Sequence, residues 1–255
     1  MMTAKDYLDS EGFVSRNSDE VYSQVRENCS EEAEDELRNL LERWNIGHIP
    51  EAEFYSQVCR FAGEISFYDL LKSRQRGLVE WYLEKSLNGL ERPEILDIGC
   101  GTGLEACFFA ELGGLAVGID PSRDVLRVAK KRADRRDLRN THFIPGNRDY
   151  LPFREGSFDM TICINSLFSP DEFRGFQAEL LYNFASSHRI EEMRRVLKDN
   201  GRAVLIGSSA GDPEHELSRY ENKFLGSEFI ITVKEIFTSE TENRTFYYIF
   251  ISAEK

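Results

Sequence analysis

The stretch that decides the fold is "ILDIGCGTG", residues 95–103, where an apolar run ends in an acid followed by glycines at alternate positions. These glycines are Gly99, Gly101 and Gly103. Glycine weakens the interior of a strand or a helix, so such a cluster needs another reason. The apolar run "EILDIG" predicts a strand, and "GLEACFFAEL" predicts a helix after it. The glycines therefore mark a loop that joins a strand to a helix.

Short β-rich runs alternate with helical segments downstream of this loop. "LAVGID", "THFIPG", "FDMTICINS" and "RAVLIGSS" predict four further strands with helices of ordinary length among them. This alternation predicts an α/β fold with a doubly wound, Rossmann-like sheet, mostly parallel. Only "TSETEN" separates the last two runs, "FIITVKEIF" and "RTFYYIFIS", and it is too short for a crossover. They therefore predict an antiparallel C-terminal hairpin.

The first part of the chain is helical and acidic in character. Ser30 followed by two acids predicts a helix start, and leucines then recur at helical spacing. Further helices are predicted over residues 50–61 and 74–87. We therefore divide the chain into an N-terminal helical cap, residues 1–90, and an α/β domain, residues 91–255.

Composition bounds the partners of the protein. A net charge of −13 argues against a surface that contacts nucleic-acid phosphates. No apolar stretch approaches the roughly 20 residues needed to cross a bilayer, and "MMTAKDYLDSEGF" lacks the apolar core of a secretory signal. The five cysteines have no CxxC spacing and are typical of free thiols in a reducing cytoplasm. We predict a cytoplasmic protein without a membrane partner or a metal site, and the charge disfavours a nucleic-acid partner.

The glycine loop has the features of a cofactor site. Ligands of parallel sheets bind beyond the carboxyl ends of the strands, where helix N-termini offer unpaired N–H groups. The next predicted strand ends in Asp120, whose carboxylate can accept hydrogen bonds from both hydroxyls of a ribose. A nicotinamide fingerprint would place its third glycine at Leu104. Asp97, just before the glycines, can instead face a cationic amine such as that of a methionine moiety.

Residues 94–253 resemble the class I S-adenosylmethionine-dependent methyltransferase family, in its small-molecule type. "EILDIGCGTG" is similar to the first motif of the family, "VGIDPS" to its ribose-binding strand and "GNRDYLPF" to its "GDAExLPF". "SFDMTICINSLF" and "EMRRVLKDNGRAVLI" resemble the motifs of the fourth and fifth strands. The resemblance implies S-adenosylmethionine as the cofactor and methyl transfer by in-line displacement. We expect the helical cap to form the acceptor site.

The resemblance also implies which residues bind the cofactor. They are Asp97, Gly99, Cys100, Gly101 and Gly103 for the methionine part, Asp120 for the ribose, Pro121, Ser122, Asn147 and Arg148 around the adenine, Asn165 on the pocket floor, and Tyr68 with Arg76 (or Arg74) over the methionine carboxylate. One position departs from the family, which usually has Asp at Asn147. The Asn carbonyl oxygen can still accept a hydrogen bond from the adenine amino group, but without the assistance of a charge. Asp149 is an alternative acceptor.

No residue is marked as the catalyst, since transfer from an activated methyl donor needs alignment more than a strong base. His215, His48 and Tyr68 are candidates for a base or for acceptor contact. Cys163 lies inside a predicted strand and is interpreted as a core residue. Residues 169–189 either form a lid over the acceptor or pack as a helix on the domain.

Three functions stay open at this point. The first is methyl transfer to a small-molecule acceptor through an O, N or S atom. The second is methylation of a protein or RNA, and the third is a cofactor-binding protein without catalysis.

Overall fold

The structure is a computed structural model that describes residues 2–28, 30–45, 48–49, 51–58, 67–87, 89–167, 178–209, 212–241 and 244–255. Within these ranges the chain forms seven strands: β1 (Glu94–Ile98), β2 (Leu115–Asp120), β3 (Thr141–Pro145), β4 (Phe158–Ile164), β5 (Leu197–Ser209), β6 (Ile230–Thr241) and β7 (Arg244–Glu254). They form one sheet in the order β3-β2-β1-β4-β5-β7-β6.

The first five strands run parallel, as the alternating pattern predicted. Asp97 of β1 stands in register with Gly118 of β2 and Ile162 of β4. The last two strands form the predicted antiparallel hairpin, in which β7 lies between β5 and β6 and pairs antiparallel with both. The predicted fold class is therefore confirmed.

Ten helices are present in the same described ranges: α1 (Ala4–Ser10), α2 (Ser18–Asn28), α3 (Glu31–Asn45), α4 (Glu51–Val58), α5 (Phe67–Ser73), α6 (Arg76–Ser86), α7 (Leu104–Glu111), α8 (Arg123–Arg135), α9 (Ala178–Val196) and α10 (Pro213–Gly226). Side-chain caps set some of their starts. Ser122 accepts a hydrogen bond from the Val125 N–H at the start of α8, and Asp212 caps α10 ahead of Pro213.

The segment considered as a lid is in part a regular helix. Residues 168–177 lie outside the described residues, but α9 begins at Ala178 and is therefore longer than the helix predicted from about His188. Tyr182 and Phe184 belong to it, and the Phe184 side chain is 76% exposed. The first turns of α9 carry aromatic and polar residues without a clear apolar stripe, which is why the pattern placed its start too late.

Alternate residues of the central strands point into two cores on opposite faces of the sheet. Ile95 and Ile162 belong to one core, and Leu96 and Cys163 to the other. α1, α6 and α7 cover the first face, and α9 and α10 cover the second. Helices on both faces are what a parallel sheet requires, because each of its faces is apolar.

The N-terminal helices divide between two cores. α2 to α5 share a small core of their own that includes Val21, Leu37, Phe54 and Leu70. α1 and α6 instead pack on the sheet, and the Tyr7 hydroxyl donates to the backbone carbonyl of Leu104 at 2.8 Å. The boundary at residue 90 thus stays a prediction, and the buried clusters follow a different division. In the described part of the chain, each helix is too short or too polar to cross a bilayer.

Candidate cofactor site

A crevice is expected where the strand order reverses. β1 lies between β2 and β4, and the chain crosses from β3 on one side of β1 to β4 on the other. In such sheets ligands bind beyond the carboxyl ends of the two strands at the reversal, here β1 and β4. The glycine loop follows β1 and the segment Asn165 to Leu167 follows β4, so both border this position.

The loop after β1 has room for glycine alone at two places. Gly99 has φ +73°, and a Cβ atom there would lie 2.3 Å from the Cβ and Oγ atoms of Ser166. Gly103, at the N-terminus of α7, has φ +72°, and its Cβ would lie 2.8 Å from Ala129 and Phe143. Left-handed φ values and such close contacts both exclude side chains. The need for a bare backbone therefore explains the glycines at positions 99 and 103.

Asp120 is held at the end of β2 with its carboxylate toward the glycine loop. Its Oδ2 accepts from the Gly101 N–H at 3.2 Å, and its Oδ1 accepts from the Ser122 N–H at 2.8 Å. Burial raises the pKa of this carboxyl, while the two backbone donors oppose the rise. A carboxylate oxygen can accept more than one hydrogen bond, so Asp120 keeps acceptor capacity for two ribose hydroxyls.

Asp97 is a buried carboxylate that lacks a full set of partners. Its side chain lies within β1 and is 2% exposed, and its Oδ2 has no hydrogen-bond partner among the described residues. Burial raises the pKa of Asp97 well above its ordinary value, and the nearby carboxylates of Glu105 and Asp120 raise it further, whereas the Lys72 ammonium lowers it. A buried acceptor without a donor is costly. It is the group that the ammonium of a methionine moiety would satisfy.

A charged network flanks Asp97 on the side of the N-terminal helices. Lys72 of α5 forms an ion pair with Glu105 of α7, and the Tyr82 hydroxyl of α6 donates to the same carboxylate. Burial by itself lowers the pKa of Lys72, but the neighbouring Glu105 and Tyr82 outweigh it and raise the pKa. Lys72 is therefore a cation held by Glu105, and its charge lowers the pKa of Asp97.

The loops after β3 and β4 are tied together across the crevice. The Arg148 guanidinium donates to the Ser166 carbonyl. Asn165, with φ +52°, accepts from the Ser208 N–H at 2.8 Å and so links the ends of β4 and β5. Asn147 is exposed, and its carbonyl oxygen accepts from the Asp149 N–H at 2.9 Å.

Asp149, the alternative acceptor for the adenine amino group, is engaged elsewhere. Its Oδ1 accepts from Arg189 Nε at 2.6 Å, and its backbone carbonyl lies 2.8 Å from His188 Nε2. Arg189 is 2% exposed. The Asp149 carboxylate is thus committed to a buried cation of α9.

Most of the predicted cofactor residues come together at this edge of the sheet, but Arg76 of the cap has other partners. Arg76, at the start of α6, donates to the Phe13 carbonyl and forms an ion pair with Asp9 at 2.6 Å. A role over the methionine carboxylate would require these contacts to break. Tyr68 lies in α5, but its side chain is outside the described residues.

The histidine candidates lie on the surface. His215 is an exposed residue of α10, and the side chain of His48 after α3 is also exposed.

Pro121 is exposed at the end of β2, and Ser122 is half-buried at the start of α8. Their role beside the adenine stays a prediction.

The cysteines at the crevice are buried thiols. Cys100 is 3% exposed, and burial raises its pKa well above its ordinary value. Its thiol packs where a Gly118 side chain would stand, so any cofactor contact of Cys100 comes from its backbone. Burial likewise raises the pKa of Cys163 to about 12, and the thiol lies 2.9 Å from Ser166 Oγ. Cys163 has the surroundings of a core residue, as predicted from its place in the strand.

The structure adds residues that the sequence analysis did not select. Ser166 donates from Oγ to the Ile98 carbonyl at 2.5 Å and fills the space beside Gly99. Lys72 and Glu105 lie 33 positions apart in the chain. A serine after a strand or a lysine on a helix carries no local signal of such a contact. The one available clue was Glu105 itself, an acid within an otherwise apolar helix start.

Comparisons with known proteins agree with this geometry. The family model described as a methyltransferase domain matches residues 95–201. The uncharacterized methyltransferase YcgJ of Bacillus subtilis is 29% identical over 113 residues, which cover 44% of this chain and 39% of the relative. A demethylmenaquinone methyltransferase of Lactococcus lactis is 31% identical over 144 residues, covering 55% of this chain and 52% of that protein.

A solved structure of similar fold carries a different kind of title. The [4+2]-cyclase SpnF superimposes with a TM-score of 0.57 at 18% identity, covering 72% of this chain and 82% of the other. A likeness at this identity concerns the fold alone, and one fold can host several reactions. The chain spans 39% and 52% of the two curated relatives described above. Residues 95–201, which contain the glycine crevice, are similar to the methyltransferase-domain family model over that range.

Proposed function

We propose that the protein transfers a methyl group from S-adenosylmethionine to a small-molecule acceptor by in-line displacement. The observation that carries the proposal is the buried Oδ2 of Asp97, which has no partner in the described part of the chain, beside a loop that excludes side chains at Gly99. A cation with a slender backbone-like chain fits this place. When bound, S-adenosylmethionine supplies a methyl group already activated by a positively charged sulfur.

The residues of this chain would then bind and orient. Asp97 would take the ammonium group, and the N–H groups at the start of α7 would face the carboxylate of the same moiety. Asp120 would accept from the ribose hydroxyls. Because backbone and buried side chains make these contacts, the site is largely preformed, and alignment of the acceptor supplies most of the rate.

The proposed class of acceptor rests on charge and on the relatives. A net charge of −13 opposes binding to an RNA backbone. A curated relative at 31% identity acts on demethylmenaquinone, a small molecule, by its name. We therefore place small molecules ahead of macromolecules as acceptors, and we extend the cap prediction to a pocket bordered by the N-terminal helices and by α9.

The first experiment measures cofactor binding by isothermal titration. Wild type should bind S-adenosylmethionine and its demethylated product, and Asp97→Asn should weaken both. The matched control is Asp159→Asn, which removes a carboxylate that pairs with Lys198 at the opposite, amino-terminal edge of the sheet. A wild type that binds neither compound would refute the proposal.

The second experiment finds the acceptor class. Radiolabelled S-adenosylmethionine is incubated with the protein and a cell extract separated into small-molecule and macromolecular fractions. Label in the small-molecule fraction supports the proposal, and label only in protein or RNA would replace it with macromolecular methylation.

A second candidate is cofactor binding without methyl transfer. It is motivated by Asn147, which stands where the family usually has Asp and whose carbonyl oxygen already accepts from the Asp149 N–H. The same two experiments distinguish it, because tight binding with no label in either fraction is its signature.

A further inference from the structure

The glycine loop is anchored by a buried ion pair that lies outside the set of cofactor contacts. Thr102, between Gly101 and Gly103, donates from Oγ1 to Asp69 Oδ1 at 2.7 Å. The Arg132 guanidinium donates to the Thr102 carbonyl and pairs with Asp69 Oδ2 at 2.8 Å. Both the side chain and the peptide of Thr102 are therefore held by the same pair.

The pair joins parts of the chain that are far apart. Asp69 lies in α5 among the N-terminal helices and is 1% exposed, and Arg132 lies in α8 and is 4% exposed. Arg132 Nε also bonds to Glu11 Oε2 at 2.7 Å, just after α1. Burial alone lowers the pKa of Arg132, but the carboxylates of Asp69 and Glu11 outweigh it and raise the pKa.

Such a pair is a poor device for stability alone. Removing two charges from water costs free energy that their attraction offsets only in part, so a buried pair is often no better than apolar packing. A buried ion pair does, however, fix the positions of the groups that it contacts. Gly101 and Gly103 have φ +52° and +72° and restrain the loop weakly, since glycine is permissive. Thr102 lies between these two glycines, and contacts to its side chain can fix the orientation of the loop.

We infer that Asp69 and Arg132 are positioning residues for the cofactor, acting through Thr102 on the backbone of the glycine loop. The inference rests on the cofactor of the proposed function. It adds that the N-terminal helices and the cofactor site are energetically linked, because α5 supplies one half of the pair. By reciprocity, a cofactor that favours the anchored loop must also stabilise α5.

The test compares four variants by titration with the demethylated product, at a temperature where circular dichroism shows each to be folded. Asp69→Asn keeps the acceptor for Thr102 but puts an amide against Arg132, and we expect about tenfold weaker binding. Thr102→Val should weaken binding by a similar factor. In the double variant it should add little to the effect of Asp69→Asn, because both substitutions break the same network. Thr102→Ser keeps the hydroxyl and should bind like wild type.

The control is again Asp159→Asn, which removes a 2.9 Å ion pair with Lys198 at the amino-terminal ends of the strands. It should lose stability in urea and keep its affinity. If Asp69→Asn also loses stability without losing affinity, the pair is only structural and the inference is overturned. Should Asp69→Asn fail to fold, a comparison of the affinities of Thr102→Val and Thr102→Ser for the demethylated product decides the same question. A wild type that does not bind would instead refute the proposed function.

Hydrogen exchange supplies an independent readout. Addition of the product to wild type should slow exchange of the backbone amides of α5, and the slowing should be lost in Thr102→Val. Unchanged exchange of α5 in a wild type that binds would contradict the linkage.

Discussion

The contact between Gly99 and Ser166 allows a substitution to be predicted in detail. In Gly99→Ala the new methyl group would stand 2.3 Å from both Cβ and Oγ of Ser166. Ser166 cannot easily turn away, because its Oγ donates to the Ile98 carbonyl at 2.5 Å. One of the two loops that border the crevice must therefore move.

The magnitude follows from two separable costs. Alanine at φ +73° costs about 1–2 kcal/mol as a left-handed residue, and overpacking costs typically about 1–3 kcal/mol. We expect Gly99→Ala to lower the free energy of unfolding by about 2–5 kcal/mol. Gly156 is a matched control, since its φ is +65° and no atom of the described residues lies within 4 Å of its Cβ position. Gly156→Ala should show the first cost alone.

Urea unfolding followed by circular dichroism gives both free energies, and titration with the demethylated product gives the affinity. Gly99→Ala should lose more stability than Gly156→Ala and should lose most of its binding, while Gly156→Ala should bind like wild type. Adding Ser166→Gly to Gly99→Ala should recover part of the difference, because it removes the atoms that clash. Equal losses in the two alanine variants would refute the close approach of the loops.

Three further predictions concern the acids and one thiol of the crevice. Folding raises the pKa of Asp97, so the free energy of unfolding of the wild type should fall as the pH rises from the ordinary carboxyl pKa through the raised one. Asp97→Asn should show a smaller fall. Urea unfolding at about pH 5 and about pH 8 measures the difference. Asp120→Asn should bind S-adenosylmethionine about 10–100-fold more weakly by titration, as expected for loss of about 1.5–3 kcal/mol of hydrogen bonding to a charged group. Burial raises the pKa of Cys163 to about 12, so its thiol should react slowly with iodoacetamide in the folded protein. Cys163→Ala should retain the methyl-transfer activity. Rapid alkylation of Cys163, detected by mass spectrometry, would contradict its burial.

The features that could be predicted from sequence are those with a local cause. Three glycines between an apolar run and a helix predict a bare loop, and Gly99, Gly101 and Gly103 all have positive φ. Asp120 could be selected because it ends the next strand in line. The C-terminal hairpin followed from the shortness of its connection, and the structure pairs its strands antiparallel.

The contacts between distant segments could not be predicted in this way. Arg76 was selected for the methionine carboxylate from its place on a helix before β1, but it bonds to Phe13 and Asp9. The prediction failed to anticipate α1, a short helix whose packing beside α6 supplies those partners. Likewise nothing near Asp69 or Lys72 in the chain indicates that each meets a charge on another helix.

One missed helix did carry a signal. Asp212 followed by Pro213 is a regular helix start, with the side chain as the cap and proline in the first turn. α10 covers the second face of the sheet through Leu217, Tyr220 and Phe224. Attention to start signals as well as to apolar periodicity would have found it.

The packing of α1 and α6 on the sheet has a practical consequence for dividing the molecule. These helices bury Tyr7, Leu8, Tyr82 and Leu83 in the same core as Ile95 of β1. A shortened protein that starts at residue 91 would expose this apolar face of the sheet to water. We therefore expect it to aggregate when it is expressed. A graft that exchanges acceptor preference with a relative should therefore move α2 to α4 alone, and it should leave in place the flanking helices and α5, which supplies Asp69 and Lys72.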